Sequence, residues 1–124
     1  MKKIVAILVF VFAFTVTTKA QDKGVKTIAL EQTKGEFTQK TLTLNEGTYI
    51  FEVSNNHAAK EVGLVLVPKG KDASNPENHI KTAYVTKVVT VGKTEKTKAT
   101  TLTKGEYVYF CPLNPTPQYT LTVQ

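Results

Sequence analysis

Apolar and polar residues alternate with a period of two along most of the chain, and long helical periodicity is absent. Residues 26–32 place Ile28 and Leu30 between polar neighbours and read as a first strand. Across 37–44, Leu42 and Leu44 share one face, and Thr41 and Thr43 the other. Asn45-Glu46-Gly47 supplies turn residues that tolerate positive φ. Residues 48–53 then alternate again, with Tyr49, Phe51 and Val53 on one side, until Ser54-Asn55-Asn56 ends the run. Residues 62–67 are continuously apolar, which suits a central strand covered on both faces. A polar loop follows over 68–78, with a short helical turn over 76–83 that has Pro76 near its start. Residues 84–91 predict a strand ended by Gly92, and 93–98 a charged, solvated connection. Residues 97–102 predict a further strand before the Lys104-Gly105 turn. Two last strands, over 105–110 and 119–123, flank a proline-rich loop. About seven or eight short strands with turn signals between them predict an all-β fold, an antiparallel Greek-key β-sandwich.

The N-terminus has a different character. Lys2 and Lys3 precede an apolar run from 4 to 17, and Thr18-Lys19-Ala20 offers small residues before Gln21. This is the layout of a secretory signal peptide over 1–20. The run is shorter than the roughly 20 apolar residues that span a bilayer. The expectation is an exported protein, periplasmic or secreted, with one domain over 21–124 and no stable membrane insertion after cleavage. All 16 basic residues are Lys, and loss of Lys2, Lys3 and Lys19 leaves 13 against 10 acidic residues. Nucleic-acid recognition leans on Arg forks and a concentrated basic patch. Scattered Lys with no Arg therefore excludes nucleic acid from the expected partners.

Cys111 is the single cysteine, so an exported chain cannot use it for an internal disulfide. It is a buried thiol, an intermolecular bridge or a metal ligand. The strand 105–110 delivers it to a loop held out of regular structure by Pro112, Pro115 and Pro117. Period two puts Tyr107, Tyr109 and Cys111 on one face, so a tyrosine-lined core turns the thiol inward at the end of the sandwich. No catalytic triad, phosphate-binding Gly loop or paired-carboxylate motif occurs, and enzyme activity is not expected.

Two stretches carry a family resemblance. Phe37, then Leu42-x-Leu44-x-x-Gly47-x-Tyr49-x-Phe51-x-Val53-x-Asn55, resembles the early hairpin of the cupredoxins, the small blue-copper β-sandwiches. Leu102-x-x-Gly105-x-Tyr107-x-Tyr109-x-Cys111-Pro112 resembles the strand bearing their copper-binding cysteine. The resemblance implies a cupredoxin-like sandwich. It also implies a soft thiolate, two imidazoles and a weak axial ligand around a copper ion. This chain departs from that ligand set. Asn114 stands where the family commonly has a His after the cysteine, and no His follows His79. Met1 is the only methionine; Pro117, Gln118 and Tyr119 fall near the axial place, and Gln118 is the candidate there. The earlier His position falls on Lys60 or Glu61, with His57 three or four residues before it.

The candidate metal set is thus Cys111, His57, Glu61, Asn114 and Gln118, with copper the candidate cofactor and no cofactor assured. His79 is expected to face solvent. The expected function is binding or interaction by a cupredoxin-like chain with a degenerate copper site, its partner an unknown protein or a metal donor or acceptor. The alternatives are a copper electron carrier with atypical ligands and a metal chaperone using Cys111 and His57.

Overall fold

The computed structural model describes residues 24–124, so the leader expected over 1–20 lies outside the described residues. Eleven strands occur among them: β1 (Val25–Thr33), β2 (Glu36–Phe37), β3 (Thr41–Leu44), β4 (Gly47–Asn55), β5 (Glu61–Val62), β6 (Val65–Pro68), β7 (Val89–Thr90), β8 (Thr94–Lys96), β9 (Thr100–Leu102), β10 (Gly105–Phe110) and β11 (Tyr119–Val123). One sheet runs β2-β1-β4-β8, with β9 following β8 along the same edge of β4; the second runs β3-β11-β10-β6, and β5 pairs with β7. Alternation explains the main core. Leu30, Tyr49, Phe51 and Val53 from the first sheet meet Leu66, Tyr107, Tyr109, Leu121 and Val123 from the second, and all are buried.

The all-β sandwich is present, but its sheets are mixed rather than purely antiparallel. β1 runs parallel to β4, and β11 parallel to β3. The cause lies in the connections. After β1 the chain reverses at Lys34-Gly35, enters the other sheet as β3, and reverses again at Asn45-Glu46. Two reversals restore the original direction beside β1. The run 37–44 is accordingly not one strand. Glu36–Phe37 pairs in the first sheet and Thr41–Leu44 in the second, so this segment carries the crossing.

Three further expectations are corrected. The charged stretch 93–98 is not a bare connection: Thr94–Lys96 pairs antiparallel with β4. Where that ladder breaks, Thr97 Oγ1 accepts from Phe51 N at 3.0 Å and keeps a buried amide satisfied. The stretch 84–91 is mostly irregular, with only Val89–Thr90 as strand and an isolated bridge from Val85 to Thr97. His79 is half-buried, its Nε2 2.7 Å from Ala73 O and its Nδ1 2.7 Å from Tyr84 Oη. Because a carbonyl only accepts, Nε2 carries the proton.

The apolar run 62–67 is covered on both faces, as its pattern predicts, but it is not one central strand: it breaks at Gly63-Leu64 between β5 and β6, and β6 is the edge strand of its sheet. Leu66 joins the main core, while Val65 and Val67 pack with Val108 in a second cluster under Ala73 and Tyr84. The 3-10 turns Pro76–Asn78 and Lys81–Ala83 lie in the segment that supplies this cover. Phe37 packs edge-on against Tyr109 and Tyr119, with centroids 5.3 and 5.8 Å away, and is fully buried. Phe37→Ala should cost about 3–5 kcal/mol through lost burial and the cavity left behind. Thr38→Ala, one residue on and exposed, should stay within about 0.5 kcal/mol. Urea midpoints of the two variants check both values.

Candidate functional site

Strand β10 carries Cys111 into the interior, where its side chain is 0% exposed. The following loop folds back on itself. Cys111 N donates to Thr116 Oγ1 at 3.0 Å, Thr116 Oγ1 donates to Pro117 O, and Thr116 N reaches Cys111 O at 3.4 Å. This closure turns Asn114 inward, where it is 2% exposed, and leaves Pro112, Leu113, Pro115 and Pro117 on the surface.

The inward side of the loop is a hydrogen-bonded network. Asn114 Nδ2 donates to Gln32 Oε1 at 3.1 Å and to Thr33 O at 2.9 Å, and Asn114 Oδ1 accepts from Gly35 N at 2.8 Å. Gln32 is fully buried, and its Nε2 donates to Gly63 O at 2.7 Å. Gly63 N in turn donates to Cys111 Sγ at 3.3 Å. The orientations of both amides follow from their partners: Thr33 O and Gly63 O can only accept, and Gly35 N can only donate. Gly35 has φ 77°, which a glycine adopts without a Cβ penalty and which aims its N–H at Asn114.

Cys111 and Asn114 are therefore brought together. The other three candidates lie elsewhere. His57 is exposed on a loop with φ 55°, and its Nδ1 lies 3.1 Å from Asn56 Oδ1. Glu61 is exposed in β5 opposite Thr90, and Gln118 is exposed just before β11. Among the described residues, none of the three bonds to the Cys111–Asn114 network. Gln32 was missed by the sequence reading. The signal was its place: Ile28, Leu30 and Gln32 share one face of β1, so period two puts an amide among core residues.

Beside the network lies a groove of about 270 Å³ between the segment 63–65, the pair Tyr84-Val85 and the pair Pro112-Leu113. Its surface is mostly apolar, and Leu113 is 53% exposed at its edge.

The sequence matches the cupredoxin-like domain family over residues 5–123. The chain belongs to that family. No curated protein matches this cupredoxin-like chain in sequence. Among solved structures it is similar to auracyanin B, with 18% identity, a TM-score of 0.61, and coverage of 85% of this chain and 93% of that one. Auracyanin A of Chloroflexus aurantiacus, described as a blue copper protein, gives 20% identity, TM-score 0.59, and coverage of 82% and 100%. Reduced auracyanin of Roseiflexus castenholzii gives 22% identity, TM-score 0.60, and coverage of 79% and 96%.

A type 1 copper ion needs a thiolate and two imidazoles near one point. Among the described residues no group of three or more His, Cys, Asp and Glu side chains is placed to hold a metal ion. At the position after the cysteine, the Asn114 amide has both N–H groups and its oxygen engaged by protein. Val62, beside the Gly63 amide that faces the sulfur, is a fully buried hydrophobe without a lone pair to offer. The residues present in this cupredoxin-like chain do not fit the type 1 ion.

The floor below the loop is aromatic. Tyr109 Oη donates to Gln39 O at 2.6 Å, and Tyr119 Oη accepts from Phe37 N at 3.3 Å. Burial, with a smaller contribution from neighbouring Tyr119, pushes the Tyr109 hydroxyl up to about 12. Burial also raises the hydroxyl of Tyr49, which donates to Asn45 O. An unfolded tyrosine ionises near about 10. In alkali the unfolded chain therefore loses this proton first, so Tyr109 favours the fold fully below about 10 and ceases to do so as pH rises through about 12. Urea midpoints measured across that window should fall with pH, and the fall should be shallower in Tyr109→Phe.

Proposed function

We propose that this chain is an exported cupredoxin-like binding module that engages a protein partner through the loop-and-groove face beside Cys111. The observation that carries this reading is the groove itself. It is apolar, opens next to Leu113, and is bordered by a loop whose proline-rich outer surface is held by internal bonds. A pre-organised loop loses little entropy on binding, which favours recognition. The leader pattern supports export, and no helix among the described residues is long and apolar enough to cross a membrane. The module is read as a binder rather than a catalyst or a redox carrier, because its loop donors are committed to protein amides.

Two measurements test this. Titrated with Cu(II) or Cu(I), the purified protein should develop no intense thiolate-to-copper band and gain no thermal stability. A band that disappears in Cys111→Ser would establish the electron-carrier alternative. Cu(I)-linked stabilisation without that band would establish the chaperone alternative, since a ligand bound only by the native state must raise stability. Separately, the native protein should bind the apolar dye anilinonaphthalene sulfonate saturably. Leu113→Asp and Leu113→Lys, at the exposed edge of the groove, should each abolish the fluorescence while leaving the melting temperature near that of the parent. Undiminished fluorescence in both variants would remove the groove from the proposal.

A further inference from the structure

We propose that Gln32 and Asn114 form a metal-free clasp: acting as one unit, they hold the Cys111 loop shut without an ion. Asn114 donates to Gln32, Gln32 to Gly63, and Gly63 to the sulfur of Cys111, so each donor points the same way round. The backbone from Cys111 to Asn114 completes a ring. The two bonds that share the Gln32 amide polarise each other, and both Gln32 and Asn114 are buried, where a hydrogen bond is electrostatically stronger than in water.

The ring also joins parts of the chain that nothing local would hold together. Its contacts span 82, 31 and 48 residues, and the anchoring bonds to Thr33 O and Gly35 N span 81 and 79. Gln32 and Thr33 end β1 in the first sheet, Gly63 precedes β6, and the Cys111 loop leaves β10 in the second sheet. The clasp thus ties both sheets at one end of the sandwich, as a shared ion would. It differs in being built from two side-chain amides and a backbone peptide. Opening it at one amide strands the others, because a buried donor or acceptor left unpaired costs more than the bond itself contributed. Gln32 and Asn114 are positioning residues in this account: they act on Cys111 through Gly63 and through the loop.

The rate at which a disulfide reagent labels Cys111 in the native, full-length protein tests the proposal, because the sulfur is buried and reacts only when the loop opens. Asn114→Asp and Gln32→Glu keep the side-chain volume, so neither variant creates a cavity. The first removes both Asn114 donors, and the second removes the donor to Gly63. Each should accelerate labelling by about tenfold or more. The double variant should be no more than about twice as fast as the faster single variant, as one cooperative unit requires. Tyr107→Phe, which breaks the bond to Thr103 O at the start of β10, should leave the rate unchanged even where it lowers the melting temperature. The parent should label at the same rate with and without EDTA. Rates that follow melting temperature across all variants would overturn the proposal, as would multiplying effects in the double variant or faster labelling of the parent in EDTA.

Discussion

A primary amide shut away from water must place two N–H groups and an oxygen, and the end of this sandwich is arranged to meet that demand. Asn114 finds its partners at the close of β1 and at the Lys34-Gly35 turn, on the sheet opposite to the one that delivers it. The turn must therefore use a left-handed glycine, β1 must extend to Thr33, and Gln32 must face inward. Gln32 in turn needs an acceptor, which Gly63 provides in the short break between β5 and β6. Without these partners the buried amides would cost roughly 1–3 kcal/mol each. With them, the loop after Cys111 is tied down on its inward side.

That outward face follows from the inward one. Turning Asn114 inside leaves the residues on either side of it, Leu113 and Pro115, exposed. The same closure sets Pro112 and Leu113 against Tyr84 and Val85, which creates the groove. Groove and buried network are two sides of a single short loop. The sandwich of the family is present, and at its cysteine end the inward-facing side chains are joined by amide hydrogen bonds.

Much of this was legible in the sequence where the pattern is local. Tyr49, Phe51 and Val53 alternate cleanly because β4 is covered by the core on one side only, and Tyr107-x-Tyr109-x-Cys111 fixed the inward direction of the thiol. The double cover of 62–67 was also readable, since no polar residue interrupts it. What escaped depends on distant partners. Thr94–Lys96 carries the composition of a solvated turn but finds an open edge on β4, and backbone pairing ignores side-chain polarity. The crossing between Phe37 and Thr41 is invisible locally, because both halves have strand character. The parallel directions of β1–β4 and β3–β11 follow from counting reversals, which requires knowing which sheet each strand joins. Asn114 was readable as a departure from an imidazole, but its partners lie about eighty residues away in the chain.

The parallel pairing of β3 with β11 sets an order on folding. Thr41 and Thr120 meet across 79 residues, so β3 has no partner on its sheet until β11, the last strand, has been made. Contacts of such high contact order form slowly, because loop-closure entropy must be overcome before they yield any stabilisation. A nascent chain therefore cannot complete its second sheet while its C-terminal segment is still being synthesised. The first sheet has no such dependence, because β1, β2, β4, β8 and β9 all precede β10 in the chain.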